Sequence, residues 1–202
     1  MSLDAGYFDE LYEQRDDPWS LADRWYERRK RALTVAMLPH ERYASALEIG
    51  CSIGLLTELL ARRSDRLLST DIAQRPIDLA REHVGPDADH VEFRVMRAPD
   101  EWPSERFDLI VVSEVGYYLD EESLGRLATQ ARDSLTSGGV VLACHWRHPV
   151  PDYPLRGDRV HEILTEASGL IPLAEYVDAD VRLAVLAEPG ARSIAAVDGS
   201  AP

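Results

Sequence analysis

Cysteine and long apolar runs are scarce in this chain, and each scarcity excludes a class of protein. Only two of the 202 residues are cysteines, Cys51 and Cys144, and we expect that no signal-type leader precedes them. So few thiols argue against an oxidised secreted scaffold, and we expect a reducing, cytoplasmic compartment. No apolar run approaches the roughly 20 residues that cross a bilayer, so we expect no membrane insertion.

Positive charge is also in short supply. The sequence has 36 acidic and 22 basic residues, a net charge of −14, and only one of the basic residues is a lysine. A surface this acidic repels polyphosphates, so we expect a small-molecule partner and no nucleic acid. The basic residues of 24–31 are spread around a predicted helix, which favours a solvated helix with one or two functional arginines. The oligomeric state is not indicated.

The middle of the chain alternates short apolar runs with amphipathic stretches, which is typical of strands joined by crossover helices in a parallel sheet. The predicted strands are Ala46–Ile49, Arg66–Asp71, Val91–Met96, Phe107–Ser113 and Gly139–His145. The predicted helices are Leu55–Arg63, Pro76–Val84 and Glu121–Leu135, the last ending at Ser137-Gly138-Gly139. The continuous apolar run at 109–112 indicates a strand covered on both faces.

The segments on either side of this core differ from it. Ser20 is the predicted N-cap of a helix that reaches Leu38, and a shorter helix is predicted at Tyr7–Gln14. We expect residues 1–40 to form a helical lid on a core at 46–187, the whole chain being a single domain. After the last parallel strand we predict a helix at Asp158–Ala167, antiparallel strands at Ile171–Val177 and Val181–Ala187, and a loose tail at 188–202.

The most informative segment is the glycine turn that follows the first predicted strand. Gly50 permits a sharp turn and a close approach of a ligand, and Gly54 lets the next helix pack against its strand. The dinucleotide fingerprint G-x-G-x-x-G would need glycine where Ser52 and Leu55 stand, which argues against an NAD-dependent oxidoreductase. Glu48 would also lie close to a pyrophosphate. A cationic ligand without phosphate tolerates that carboxylate better, and S-adenosylmethionine (SAM) is such a ligand.

Two later strands support a SAM site. The second strand ends at Asp71, 21 positions beyond Gly50, where a carboxylate can accept hydrogen bonds from both ribose hydroxyls of an adenosine. The alternative is that this aspartate is only a helix cap. The fourth strand ends in Ser113, Glu114 and Val115, and the three motifs together form a specific set.

On these motifs, residues 46–187 resemble the class I SAM-dependent methyltransferases. The resemblance implies a Rossmann-like α/β sheet, mostly parallel with an antiparallel last strand, with helices on both faces. It also implies SAM as cofactor and S-adenosylhomocysteine as its product. Together with the residues of the motifs, the candidate cofactor-binding set is Trp19, Arg29, Glu48, Gly50, Cys51, Gly54, Asp71, Ile72, Arg97, Ala98, Ser113, Glu114 and Val115. Arg97 stands where the family usually places an acid for the adenine amino group.

The N-terminal segment extends the resemblance to a narrower family, the nodulation S-type (NodS-like) methyltransferases. The motifs that carry it are Tyr7-Phe8-Asp9, Asp17-Pro18-Trp19, residues 25–30 and residues 114–119. Members of that family N-methylate an amino sugar of a deacetylated chitooligosaccharide. The resemblance therefore implies that the acceptor is an amine of an amino sugar or a similar metabolite. O-methylation of a small metabolite and SAM binding without catalysis are the alternatives.

Methyl transfer is an in-line displacement, so alignment of the reactants matters more than reacting side chains. An amine must be neutral to attack, and a carboxylate or imidazole near the ends of the fourth and fifth strands can take its proton. The catalytic candidates, in order, are Glu114, Tyr118 and His145. We expect no metal, since the pair His145 and His148 has no third ligand nearby in sequence.

Several candidates also have a purely structural interpretation. Trp25 is predicted to pack in the core, whereas Trp19, in a proline-containing loop, is predicted to touch the cofactor. Arg29 lies three positions beyond a tyrosine on the same predicted helix, and it either reaches the cofactor carboxylate or forms a surface salt bridge. His145 is either a base or substrate contact or the partner in a structural hydrogen bond. Cys51 is a small packing residue whose backbone touches the cofactor.

Overall fold

Seven strands form one sheet in the computed structural model of the chain, which describes residues 1–201. They are β1 Ala46–Ile49, β2 Leu67–Asp71, β3 Val91–Val95, β4 Phe107–Ser113, β5 Leu135–Trp146, β6 Ile171–Val177 and β7 Val181–Ala187. Their order across the sheet is β3-β2-β1-β4-β5-β7-β6. The first five strands run parallel, and β7 is antiparallel to both β5 and β6. The predicted Rossmann-like sheet is confirmed.

Helices connect and cover these strands. They are α1 Ala5–Gln14, α2 Trp25–Ala36, α3 Leu55–Ala61, α4 Gln74–Val84, α5 Glu121–Asp133, α6 Gly157–Ser168 and α7 Ile194–Val197, with a 3₁₀ turn at Gly116–Tyr118. The crossover helices are amphipathic: α5 buries four residues at helical spacing, Leu124, Leu127, Ala128 and Ala131, which fixes one face on the sheet. Within residues 1–201, no helix is both long and apolar enough to cross a membrane.

The central strand β4 is buried on both faces, as its apolar run predicted. Leu109 and Val111 belong to the core cluster on one side of the sheet, and Ile110 and Val112 belong to the cluster on the other. Successive side chains of a strand point to opposite faces, so both layers of helices pack on this strand. The carboxyl end of β4 is therefore held rigidly.

Several predicted boundaries were wrong. Ser137-Gly138-Gly139 does not end a helix: α5 ends at Asp133, and β5, predicted to begin at Gly139, already pairs with β4 from Leu135 before the register shifts. Ser20 is not an N-cap but lies in a turn at φ 58°, and α2 begins later. Trp25 is 69% exposed rather than packed. The tail predicted to be loose contains α7, whose Ala196 is buried.

Gly54 is needed for helix packing, but its close neighbour is α4 rather than its own strand. A Cβ at this position would lie 2.8 Å from the Cα of Ala80. We expect Gly54→Ala to lower the free energy of unfolding by roughly 1–3 kcal/mol, because backbone atoms must move apart.

The matched control for Gly54 is Gly169→Ala. Both glycines have left-handed helical backbone, with φ +83° and ψ 6° at Gly54 and φ +71° and ψ 5° at Gly169, but nothing lies within 4 Å of a Cβ at Gly169. Urea unfolding of the two variants therefore separates helix packing from backbone strain. Equal losses of stability in both would contradict the packing role of Gly54.

Candidate functional site

A cavity of about 450 Å³ opens beyond the carboxyl ends of β1, β2 and β4. In open α/β sheets, ligands bind in the crevice outside these strand ends. The wall opposite the sheet is built by the N-terminal segment, which contributes Phe8, Tyr12, Trp19 and Arg24 among others. The loops after β4 and β5 close the remaining side with Tyr118 and other aromatic residues.

The glycine turn and the end of β2 form one end of this cavity. Gly50 has φ +79°, and a Cβ there would overlap the Cγ1 of Val115, so only glycine fits. Asp71 is 8% exposed and lines the cavity. Its Oδ2 accepts the backbone N–H of Ser52 at 2.9 Å, and its Oδ1 accepts that of Ala73 at 3.3 Å. Burial raises the pKa of Asp71 to about 6 against the lowering effect of these N–H groups.

The cavity brings together most of the predicted cofactor-binding residues. Those that line it are Trp19, Gly50, Asp71, Ile72, Ala98, Ser113, Glu114 and Val115. Those that do not are Arg29, Glu48, Cys51, Gly54 and Arg97. Arg97 is exposed, and its backbone N–H donates to Glu101. The neighbours of Arg97, Met96 and Ala98, face the cavity instead.

Glu48 and Cys51 support the glycine turn from behind. Glu48 is 1% exposed, and its Oε2 accepts hydrogen bonds from the hydroxyls of Thr57 and Ser69, both at 2.6 Å. Burial raises the pKa of Glu48 to about 7, against the lowering effect of the two hydroxyls. Cys51 packs with Ile77 of α4. Both residues therefore fix helices to the sheet instead of facing the cavity.

Arg29 forms the salt bridge that was its alternative interpretation. Its guanidinium donates to Asp178, in the turn between β6 and β7, at 3.1 Å and to the hydroxyl of Tyr176, near the end of β6, at 2.6 Å. The face of α2 that lines the cavity carries Tyr26 and, one helical turn later, Lys30. Side chains four positions apart share a helix face, so the helix is rotated by one residue from the expected orientation.

Glu114 is the centre of a polar cluster at the other end of the cavity. Its Oε2 accepts the hydroxyl of Tyr117 at 2.6 Å, and its Oε1 accepts the backbone N–H of Trp146 at 2.9 Å. The Nζ of Lys30 lies 3.4 Å from the Oε2 of Glu114 and 2.9 Å from the Oε2 of Glu27. The Glu114 side chain is 26% exposed, into the cavity.

The charges in this cluster are tuned by burial and by each other. Burial raises the pKa of Glu114 above its ordinary value, and the ammonium of Lys30 opposes this rise. Burial also acts to lower the pKa of Lys30, but Glu114 and Glu27 outweigh it, so that pKa is raised and Lys30 stays charged. Glu114 therefore keeps a cationic neighbour while facing the cavity.

Tyr118 belongs to an aromatic wall beside Glu114. Its hydroxyl lies 3.3 Å from that of Tyr153, whose ring stacks on Tyr117 with a centroid separation of 5.1 Å. Burial raises the pKa of Tyr118 well above its ordinary value, so its phenol is a hydrogen-bonding group rather than a base at neutral pH. Tyr26 and Trp146 extend the wall, with ring centroids 5.2 Å apart.

The prediction of His145 as a base was wrong, and its structural alternative holds. His145 is fully buried and does not line the cavity. Its Nε2 accepts the backbone N–H of Gly116 at 3.2 Å, and its Nδ1 lies 3.3 Å from the Nε2 of His161. Burial lowers the pKa of His145 well below its ordinary value, and the neighbouring His161 adds to this lowering. The His145 ring is therefore neutral, and its acceptor nitrogen is taken by the N–H of Gly116. The ring positions the turn at Gly116–Tyr118.

Several residues of the site were not predicted from the sequence, among them Tyr12, Glu27, Lys30 and Tyr153. The hydroxyl of Tyr12 lies 2.7 Å from that of Ser52 and so ties α1 to the glycine turn. One signal was available for Lys30, because it is the only lysine in the sequence. Within residues 1–201, no group of three or more His, Cys, Asp or Glu side chains is arranged to hold a metal.

The sheet order, the glycine turn and the carboxylate at the end of β2 are those of a class I methyltransferase. The family described as nodulation protein S (NodS) matches residues 9–137. The chain belongs to this family.

Individual relatives agree with this membership. A nodulation protein S of Rhizobium tropici is 38% identical over 114 residues, which cover 56% of this chain and 48% of that protein. The chain spans about half the length of the curated relatives that it matches first.

Two solved structures match over nearly their whole length. A protein of Pseudomonas syringae assigned as a methyltransferase is 42% identical, with a TM-score of 0.71 over 81% of this chain and 99% of that one. The N-methyltransferase NodS of Bradyrhizobium japonicum WM9, in complex with S-adenosylhomocysteine, is 27% identical, with a TM-score of 0.80 over 92% of this chain and 98% of that one.

Proposed function

We propose that the chain is a SAM-dependent methyltransferase whose acceptor is an amine of a small molecule, such as an amino sugar. The observation that carries the proposal is the single cavity that has Asp71 and the glycine turn at one end and the Glu114 cluster at the other. Membership of a family with an N-methyltransferase of known structure supports it.

The residues present fit SAM. Asp71 faces the cavity with lone pairs beyond the two used by backbone N–H groups, so it can accept hydrogen bonds from a ribose. Ile72 and Ala98 offer apolar surface for an adenine. Arg24 lines the cavity and is the cation that we assign to the cofactor carboxylate, in place of Arg29. When bound, SAM supplies a methyl group made electrophilic by its sulfonium.

Glu114 is the residue that accepts the proton lost by the acceptor amine. An attacking amine must lose its proton, and a carboxylate with a raised pKa is a better base than an ordinary one. The hydroxyl of Tyr117 and the N–H of Trp146 fix both oxygens of Glu114, so the carboxylate is held in one orientation. The aromatic wall around it excludes water and aligns the acceptor, which is where most of the rate enhancement is expected.

The function is tested by incubating the full chain with SAM carrying a labelled methyl group and a matched set of acceptors. The set contains a glucosamine oligosaccharide, its N-acetylated counterpart and a phenol of similar size. We expect label on the free amine and none on the N-acetylated sugar, because an amide nitrogen is not nucleophilic.

Two results would contradict the proposed acceptor or the proposed activity. A methyl group placed on oxygen by NMR would select the O-methyltransferase alternative. Tight SAM binding without turnover, across the acceptor set and a broad amine panel, would favour a SAM-binding protein without catalysis.

A further inference from the structure

We propose that Lys30 is a positioning residue that keeps the Glu114 carboxylate ionised and fixed at the acceptor end of the cavity. The Glu27 carboxylate, which also binds Lys30, opposes the effect of Lys30 on the charge of Glu114. This inference deepens the proposed function, because it depends on Glu114 facing the acceptor. It concerns the only lysine in the chain.

The geometry places Lys30 between two carboxylates. Lys30 is 4% exposed, and its Nζ lies 2.9 Å from the Oε2 of Glu27 and 3.4 Å from the Oε2 of Glu114. The ammonium also lies 5.4 Å from the centroid of the Tyr26 ring. An ammonium removed from water needs such partners to remain charged. The buried lysine is therefore held by the two carboxylates whose mutual repulsion it offsets.

The cluster carries two carboxylates and one ammonium, so one negative charge is left over. Two carboxylates that share a buried site without a cation cannot both remain ionised. Lys30 removes this conflict, and the remaining charge on Glu114 matches one protonated amine of an acceptor. Glu27 acts in the opposite direction, because its charge favours protonation of Glu114.

The other titratable groups around Glu114 stay neutral near neutral pH. They are Tyr26 on α2, Tyr117 and Tyr118 in the 3₁₀ turn, and Cys144 and His145 on β5. Burial is the first cause in each case: it raises the pKa of the phenols and of the thiol and lowers that of the imidazole. Among charged groups, Lys30 and Glu27 therefore act on Glu114, and the hydroxyl of Tyr117 acts through its hydrogen bond.

The test is a titration of the Glu114 carboxyl group by ¹³C NMR in the full, ligand-free chain, with Glu114→Gln to identify its resonance. We expect Lys30→Met to raise the pKa of Glu114 by about 1–3 pH units, since an opposite charge within a few ångströms is removed. We expect Glu27→Gln to lower it, and Lys30→Arg to keep it near the wild-type value. A merely structural role for Lys30 predicts no such opposed pair of shifts.

In the same variants, the acidic limb of the kcat/KM profile with the labelled-methyl assay should move in the same directions. Shifts of equal sign in Lys30→Met and Glu27→Gln, or no shift in either, would overturn the inference. If Lys30→Met does not fold, Glu27→Gln still decides: an unlowered Glu114 pKa overturns the role. Opposed NMR shifts without methyl transfer would support the role of Lys30 while counting against the proposed function.

Discussion

Asp71→Ala is expected to weaken the binding of S-adenosylhomocysteine by roughly 1.5–3 kcal/mol, the usual value of hydrogen bonds to a charged acceptor. This corresponds to a dissociation constant about 10 to 150 times higher. The reason is that Asp71 is the carboxylate that faces the cavity beside the glycine turn. Isothermal titration calorimetry on the full chain measures the change.

The control for this variant is Asp108→Ala. Asp108, like Asp71, is an aspartate of an interior strand, and each of its two carboxylate oxygens accepts a backbone N–H. The donors to Asp108 are the N–H groups of Ala44 and Ser45, at 2.7 and 2.9 Å. It does not line the cavity. We expect the two variants to lose similar stability, while only Asp71→Ala loses ligand affinity. Equal dissociation constants in the two would show that Asp71 only supports its turn.

The cofactor end of the site could be predicted because its signals are local in sequence. The glycine turn follows β1 directly, and Asp71 follows the apolar run of β2. The predicted limits are correct for four strands, β1, β4, β6 and β7, because turn residues flank their apolar runs. Local patterns of this kind depend little on how distant segments pack.

The acceptor end depends on contacts between distant segments, and the sequence does not give these. Lys30 and Glu114 are 84 positions apart, and their contact requires the orientation of α2 on the sheet. Successive residues of a helix are about 100° apart around its axis. A rotation of this size decides whether Lys30 or Arg29 faces the cavity. The pair His145 and His161 is another such case, because its hydrogen bonds are visible only in the fold.

Glycine pairs were a second source of error. Gly138 and Gly139 favour the end of a helix by composition, yet they lie within β5, where the register against β4 shifts after Phe107. A Cβ at Gly139 would lie 3.1 Å from the carbonyl oxygen of Phe107. Glycine permits both a helix end and a close strand approach, so its presence alone does not choose between them.

The N-terminal segment 1–40, predicted as one helical lid, packs on the core in two ways, and we propose that only residues 1–24 form the lid. In α2, Lys30 and Thr34 are buried, and Leu33 and the C-cap residue Met37 pack against Cys144 and its neighbours in β7. This helix is part of the core. The segment 1–24 holds α1 and the following loop, and it meets the cavity through aromatic side chains.

Residues 1–24 contact both the glycine turn and the aromatic wall. The N–H of Leu3 donates to the carbonyl of Tyr118 at 2.8 Å, the ring of Phe8 meets that of Tyr118 at 4.9 Å, and the hydroxyl of Tyr12 bonds Ser52. These partners belong to the glycine turn and to the aromatic wall. A ligand that orders those two features should therefore also order the lid.

We expect S-adenosylhomocysteine to slow amide hydrogen exchange in residues 7–24 by tenfold or more, on the order of 1.4 kcal/mol of local stability. The strands at 171–187 should change less, because they lie away from the cavity, and they serve as the internal control. A lid gains order from the ligand that it covers. Equal protection in both segments would show that ligand binding stabilises the whole domain and not a lid.

Deleting residues 1–24 is expected to leave a folded α/β domain that has lost most methyl transfer. The deletion removes Phe8, Tyr12, Trp19 and Arg24 from the cavity wall, so water enters and the acceptor loses its alignment. It spares α2, and the Lys30–Glu114 pair with it, so the loss is specific to the lid. Urea unfolding checks that the domain is intact, and the labelled-methyl assay measures the loss. A truncated protein with near-normal turnover would assign α1 to packing alone and would remove Tyr12 and Trp19 from the site.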